Sequence, residues 1–60
     1  MSKNKCNMVI NKLRLAKDHL QESLMPAQDI DYPIMTQINK TILEIELITN
    51  QVRHLRATYE

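Results

Sequence analysis

The sequence predicts an all-α fold in which two helices form an antiparallel, coiled-coil-like hairpin. Apolar residues recur every three or four positions in two long segments, as they do in amphipathic helices. The only break between these segments is bracketed by Pro26 and Pro33, and a connection this short makes neighbouring helices pack antiparallel. Because 60 residues are few for an independent core, we expect a partner chain or homodimerisation to complete the fold.

The first helix is expected over about residues 5–25. Its apolar stripe contains Cys6, Val9, Ile10, Leu13, Ala16, Leu20 and Leu24. A loop is expected over residues 26–31, where Asp31 is a suitable N-cap for the next helix and Pro33 suits its first turn. The chain, 1–60, is then a single helical hairpin.

The second helix is expected over about residues 32–59. Its apolar stripe contains Ile34, Ile38, Ile42, Ile45, Ile48, Val52, Leu55 and Tyr59. Antiparallel packing is expected to bring Leu20 near Ile38 and Cys6 near Val52. The central layers of the two stripes then form the core, with Leu13, Ala16, Leu20, Ile38, Ile42, Ile45 and Ile48.

Each helix also carries a smaller apolar patch roughly opposite its stripe. Met8 and Leu15 form the patch on the first helix, and Leu43 and Leu47 form the patch on the second. Isolated exposed leucines are ordinary on protein surfaces. The four-residue spacing of Leu43 and Leu47 instead favours a partner-facing stripe. We therefore predict that these four residues contact another protein chain, either a helical chaperone or a second copy.

Residues that could carry catalysis are few and scattered, so we expect a protein that is not an enzyme and has no small-molecule substrate. Cys6, His19 and His54 show no spacing of metal ligands or of a catalytic set, and Cys6 falls on the apolar stripe. Asp29 and Asp31 suit loop and cap roles. We expect no catalytic residues, no cofactor and no metal.

Charge and hydropathy narrow the classes of partner and the compartment. The net charge of +1 is too small to steer the chain strongly to nucleic acid or membrane. Lys3, Lys5, Arg53 and Arg56 would gather at one end of the hairpin; the sequence leaves open whether they bind an anionic partner or simply suit a solvated helix end. With no apolar run long enough for a membrane span and one unpaired cysteine, we expect a cytoplasmic protein.

The stretch YPIMTQINKTILEIELITNQV resembles the second helix of the small co-chaperones of the type III secretion needle subunit. That helix likewise begins near a Tyr and carries small or aliphatic residues at corresponding positions, here Thr41, Ile42, Ile45, Ile48 and Val52, with shared polar positions at Lys40, Glu46 and Asn50. The resemblance covers a third to a half of the chain. It implies a heterodimer with a second chaperone that keeps the needle subunit from polymerising early in the cytoplasm.

The hairpin layout with a Pro-started second helix is also similar to that of the Spo0E-like aspartyl-phosphate phosphatases. Their Ser-Gln-Glu-Leu-Asp motif would fall on residues 39–43, where only the aliphatic position, Ile42, is retained. The acidic residues of the motif are missing, so this resemblance implies a member without the activity. A third possibility is a homodimeric four-helix-bundle regulator of the phage or plasmid type, since a two-helix hairpin is half of such a bundle.

Overall fold

The computed structural model describes residues 2–59; of Ser2 it describes only that the residue is helical. It confirms the all-α antiparallel hairpin. The first arm consists of α1 (Ser2–Glu22) and α2 (Leu24–Ile30), and the second arm is α3 (Tyr32–Ala57). Residues 2–59 contain no strand. The two ends of the expected 1–60 range, Met1 and Glu60, lie outside the described residues. The hairpin is a thin rod, with Cα extents of 45 × 14 × 8 Å.

The first arm is interrupted at a single residue, Ser23, because Pro26 has no N–H to donate to the carbonyl of Glu22. The N–H of Ser23 donates to the carbonyl of Leu20 at 3.1 Å, and its hydroxyl donates to the same oxygen at 2.6 Å. The N–H of Ala27 then bonds to the carbonyl of Ser23 at 2.9 Å, and the helix resumes. Once the helix restarts at Leu24, Pro26 lies in the first turn of α2. N–H groups in a first turn have no partner within the helix, so the proline costs α2 itself no hydrogen bond.

The reversal of the chain takes place at one residue, Asp31. Its backbone is extended, with φ −165° and ψ 115°. Its N–H donates to the carbonyl of Ala27 at 2.8 Å, and its carbonyl accepts from Ile34 at 3.0 Å. Asp31 is therefore the N-cap of α3, with Pro33 in the first turn as expected, although its side chain makes no capping hydrogen bond. The loop expected over residues 26–31 is instead helical as far as Ile30.

The two arms meet along a seam in which the spacing alternates between three and four residues. From the first arm the seam contains Ile10, Leu13, Lys17, Leu20, Leu24 and Ala27, and from the second Met35, Ile38, Ile42, Ile45, Thr49, Val52 and Arg56, all buried or half-buried. This alternation averages 3.5 residues and is the heptad repeat of a coiled coil. It continues through Ser23, so the interruption does not change the face that the first arm presents.

The assignment of two residues to the core was wrong. Ala16 and Ile48 are exposed, the latter by 45%, because each precedes a seam residue and is rotated about 100° away from the other arm. Thr49 is buried in place of Ile48. Its hydroxyl donates to the carbonyl of Ile45 at 2.7 Å, which lets a polar side chain occupy an apolar seam. The remaining expected core residues lie on the seam.

The pairing of the arms is shifted from the expected one by about one helical turn. Arg56 donates from Nη1 to Oδ1 of Asn7 at 2.7 Å, a part-buried bond between the free ends of the arms. The expected pairing of Leu20 with Ile38 would instead place Asn7 opposite Gln51. The shift follows from the position of the turn. Because residues 26–30 are helical, the chain reverses at Asp31, and each residue of the first arm lies opposite a residue about one helical turn further along α3 than expected.

Candidate protein-binding surfaces

The four residues expected to contact a partner, Met8, Leu15, Leu43 and Leu47, are each more than half exposed. Met8, Leu15 and Leu47 each stand two residues from a seam residue, about 200° around the helix, whereas Leu43 follows Ile42 directly, at about 100°. Their exposure places all four on outward-facing parts of their arms. Met8 and Leu15 therefore form an outer patch on α1, and Leu43 and Leu47 form an outer patch on α3. The structure does not bring the four together in one surface.

The outer patch on α3 borders a shallow apolar depression of about 540 Å³. It is lined by Leu47, Asn50, Gln51, His54 and Leu55. Leu47 and Leu55 are separated by two helical turns and border the depression, while the polar residues form the rest of its wall. The apolar surface that begins at Leu43 thus continues towards the end of α3.

A further apolar surface lies on one side of the hairpin, and the sequence interpretation missed it by placing its residues on the two inward-facing stripes, with Ala16 and Ile48 in the core. It consists of Val9 and Ala16 on α1 and Ile34, Ile48 and Leu55 on α3, all exposed; we call it the apolar face. Every one of these residues immediately precedes a seam residue, and on each helix they are separated by seven residues or by a multiple of seven. This spacing was the signal that could have separated them from the core.

In an antiparallel pair of helices, the positions that directly precede the seam residues of each helix lie on the same side of the pair. The five residues therefore form one surface. The lining of a groove of about 220 Å³ agrees: it contains Lys5, Cys6 and Val9 from α1 together with Val52 of α3 and Tyr59, two residues beyond the end of α3. The groove is therefore the end of the apolar face that lies far from the turn.

The opposite side of the hairpin is polar. Its groove, of about 130 Å³, is lined by Leu13, Lys17 and Thr49 of the seam and by Arg14, Glu46, Asn50 and Arg53. The Arg53 Nη1 donates to the Asn50 Oδ1 at 3.2 Å. The hairpin as a whole is thus amphipathic, with a charged side and an apolar side.

The four basic residues expected at one end do not share one surface. Lys5 lines the groove on the apolar face, whereas Arg53 lines the polar groove. Arg56 is half-buried on the seam and bonded to Asn7. Lys3 also has an interaction partner. These residues therefore divide between the two sides and the seam.

The residues that could carry chemistry are also dispersed. His19 lies in the last turn of α1, on the first arm, and His54 lies in the last turn of α3, on the second arm and nearer the end far from the chain reversal. Cys6 is half-buried in the groove on the apolar face. Among residues 2–59, no three His, Cys, Asp or Glu side chains stand close enough to hold a metal ion. In the same range, no helix has the length and apolar character needed to cross a bilayer.

Comparison with known proteins gives no relative: no family model, no curated protein and no solved structure matches this chain.

Proposed function

We propose that this chain is a protein-binding module, a helical hairpin that docks its apolar surfaces on the helices of another protein chain and that carries out no catalysis. The observation that carries the proposal is the balance of apolar side chains. Among residues 2–59, three apolar residues are buried, whereas twelve large apolar side chains remain exposed. Exposed apolar area on this scale, arranged in stripes along helices, is typical of surfaces that meet a partner.

Energetics support a protein partner over the other classes. Burying one exposed Leu or Ile side chain contributes about 1.5–3 kcal/mol, so a few of the exposed residues suffice to drive association. A nucleic acid partner would require a concentrated basic surface, but the net charge is +1 and the basic residues are divided between two sides.

One specific form of the proposal is a cytoplasmic co-chaperone of type III secretion. The stretch that resembles those co-chaperones lies entirely in α3 and contains Leu43 and Leu47. In this form the outer patch on α3 contacts a helical partner chaperone, and the complex keeps a needle subunit from polymerising.

The outer patch on α3 provides the test. Changing Leu43→Asp together with Leu47→Asp is expected to weaken binding of the native partner at least tenfold, because two apolar anchors are lost. The helical circular dichroism signal should be retained, since neither residue lies on the seam. Binding is measured by affinity capture from the native host, followed by mass measurement of the complex.

The matched control is Gln21→Asp together with Gln28→Asp, which introduces the same charge at exposed positions of the first arm, outside both outer patches, and should leave capture unchanged. Capture that is equally strong with the two leucine changes would show that the outer patch on α3 is not the contact. Loss of helicity together with binding would show that this surface belongs to the hairpin core.

A further inference from the structure

We infer that the apolar face is covered by a second copy of this chain, so that two hairpins form a four-helix bundle in which α1 of each copy lies over α3 of the other. This inference rests on the proposed function, because it names the partner of one of the binding surfaces. It leaves the outer patches on the far sides of the bundle, where a different chain could still dock.

The heptad pattern is the first support. A two-helix coiled coil needs apolar residues only at the two seam positions of each heptad, whereas the helices of a bundle use a third position as well. Here the third position is the one directly before a seam residue. It is occupied by Val9 and Ala16 on α1, and by Ile34, Ile48 and Leu55 on α3. Since all five lie on one side, a second pair of helices must cover that side to bury them.

Charge at the borders of the apolar face supports a second copy and selects its orientation. Along the outer edge of α1 stand Lys5, Lys12 and His19, seven residues apart. Along the outer edge of α3 stand Gln37, Glu44 and Gln51, also seven residues apart. The apolar face therefore has one basic border, on α1, and one neutral-to-acidic border, on α3. A second copy of the chain can place its α3 border along the α1 border of the first copy, and the reverse.

Two symmetric ways of joining the faces can be compared. Placing α1 over α1 would put the basic border of one copy along the basic border of the other. Placing α1 over α3, with the two-fold axis parallel to the helices, puts the basic border along Gln37, Glu44 and Gln51 instead. The Asn7–Arg56 bond shows which residues of α1 and α3 lie at the same height along the rod. With that pairing, His19 of one copy lies beside Glu44 of the other. Border charges of this kind set the orientation of helical assemblies.

The available area fits a small dimer. The broad side of the rod measures 45 × 14 Å between Cα atoms, which is about 630 Å² per copy before side chains are added. Two such faces that met over this whole rectangle would bury on the order of 1,260 Å², near the lower limit of the roughly 1,200–2,000 Å² of specific protein interfaces. A symmetric interface built from one surface also closes on itself and forms no filament.

The experiment is sedimentation equilibrium of the purified full chain in reducing buffer at about 100 µM, far above the Kd of a specific dimer. The expected mass is twice that of the 7.1 kDa chain. Val9→Asp together with Ile48→Asp should give a monomer, and Leu43→Asp together with Leu47→Asp should remain dimeric. A monomer or a larger oligomer for the unchanged protein overturns the inference, as does dissociation in the control variant but not in the Val9 and Ile48 variant.

Border charges give a second test that does not depend on apolar changes. Glu44→Lys should lower the dimer affinity several-fold, because it removes the carboxylate from this border and makes both borders basic. Adding His19→Glu should restore the affinity by placing a carboxylate beside the new ammonium group. Absence of this restoration overturns the placement of α1 over α3. The proposed function is tested separately: a monomeric chain that still captures a native partner refutes self-association only, whereas a monomeric chain that captures none refutes both.

Discussion

Replacing Ile42 with Ala is expected to lower the free energy of unfolding by about 2–5 kcal/mol, a large share of what a domain of this size possesses. Ile42 is 5% exposed and is the most completely buried apolar residue among residues 2–59. It lies at the middle of the seam, so its truncation leaves a cavity between the arms that neither helix can close. Chemical denaturation followed by circular dichroism at one fixed chain concentration measures the change.

The matched control for this prediction is Leu43→Ala. Leu43 is adjacent in sequence and has the same number of side-chain carbons, but it is 65% exposed. Because Ala has the higher helix propensity, we expect the free energy of unfolding to change by less than about 0.5 kcal/mol. Equal losses in the two variants would contradict the assignment of Ile42 to the seam and of Leu43 to the outer patch.

The second large effect is expected from Ala27→Leu, which should destabilise the hairpin by about 1–3 kcal/mol through overpacking. Ala27 is 6% exposed and lies in α2, where the first arm approaches the start of α3. The small side chain permits the two arms to come together next to the one-residue turn. The melting temperature of the variant, taken at the concentration used for the wild type, should fall by several degrees.

Ala57→Leu is the control for this change, since Ala57 is exposed at the end of α3 and the same substitution there should leave the melting temperature almost unaltered. An Ala27→Leu protein that melts with the wild type would place α2 away from α3. That result would favour a loop over residues 26–31, as the sequence alone indicated, over the helix that the structure contains.

The hairpin itself could be predicted because two amphipathic segments joined by one short, proline-bracketed break must pack as antiparallel helices to bury their apolar stripes. Most of the seam followed from the same pattern, as Leu13, Leu20, Ile38, Ile42 and Ile45 illustrate. The turn could not be placed correctly because Pro26 was interpreted as the end of a helix. A proline in the first turn of a new helix looks the same in sequence, and only the bonds from Ser23 to the carbonyl of Leu20 distinguish the two cases.

The binding surfaces were harder to predict because hydrophobicity alone does not separate a seam residue from its neighbour. Ile48 looks like a core residue and Thr49 does not, yet the hydroxyl of Thr49 bonds to its own helix and Thr49 is the buried one. Once the seam is fixed at Thr49, Ile48 is rotated onto the apolar face. The exposure of the outer patches could be predicted because Met8, Leu15, Leu43 and Leu47 belong neither to the expected stripes nor to the seam.

We propose that this hairpin is incomplete alone and that a second helical surface completes it. Thermal unfolding of the unchanged full chain, followed by circular dichroism at about 5 µM and about 500 µM, tests the claim directly, because mass action makes an associating protein more stable at higher concentration. We expect a melting temperature that is several degrees higher in the concentrated sample. The same cooperative transition at the same temperature in both samples would contradict it, since the hairpin would then be complete as a single chain.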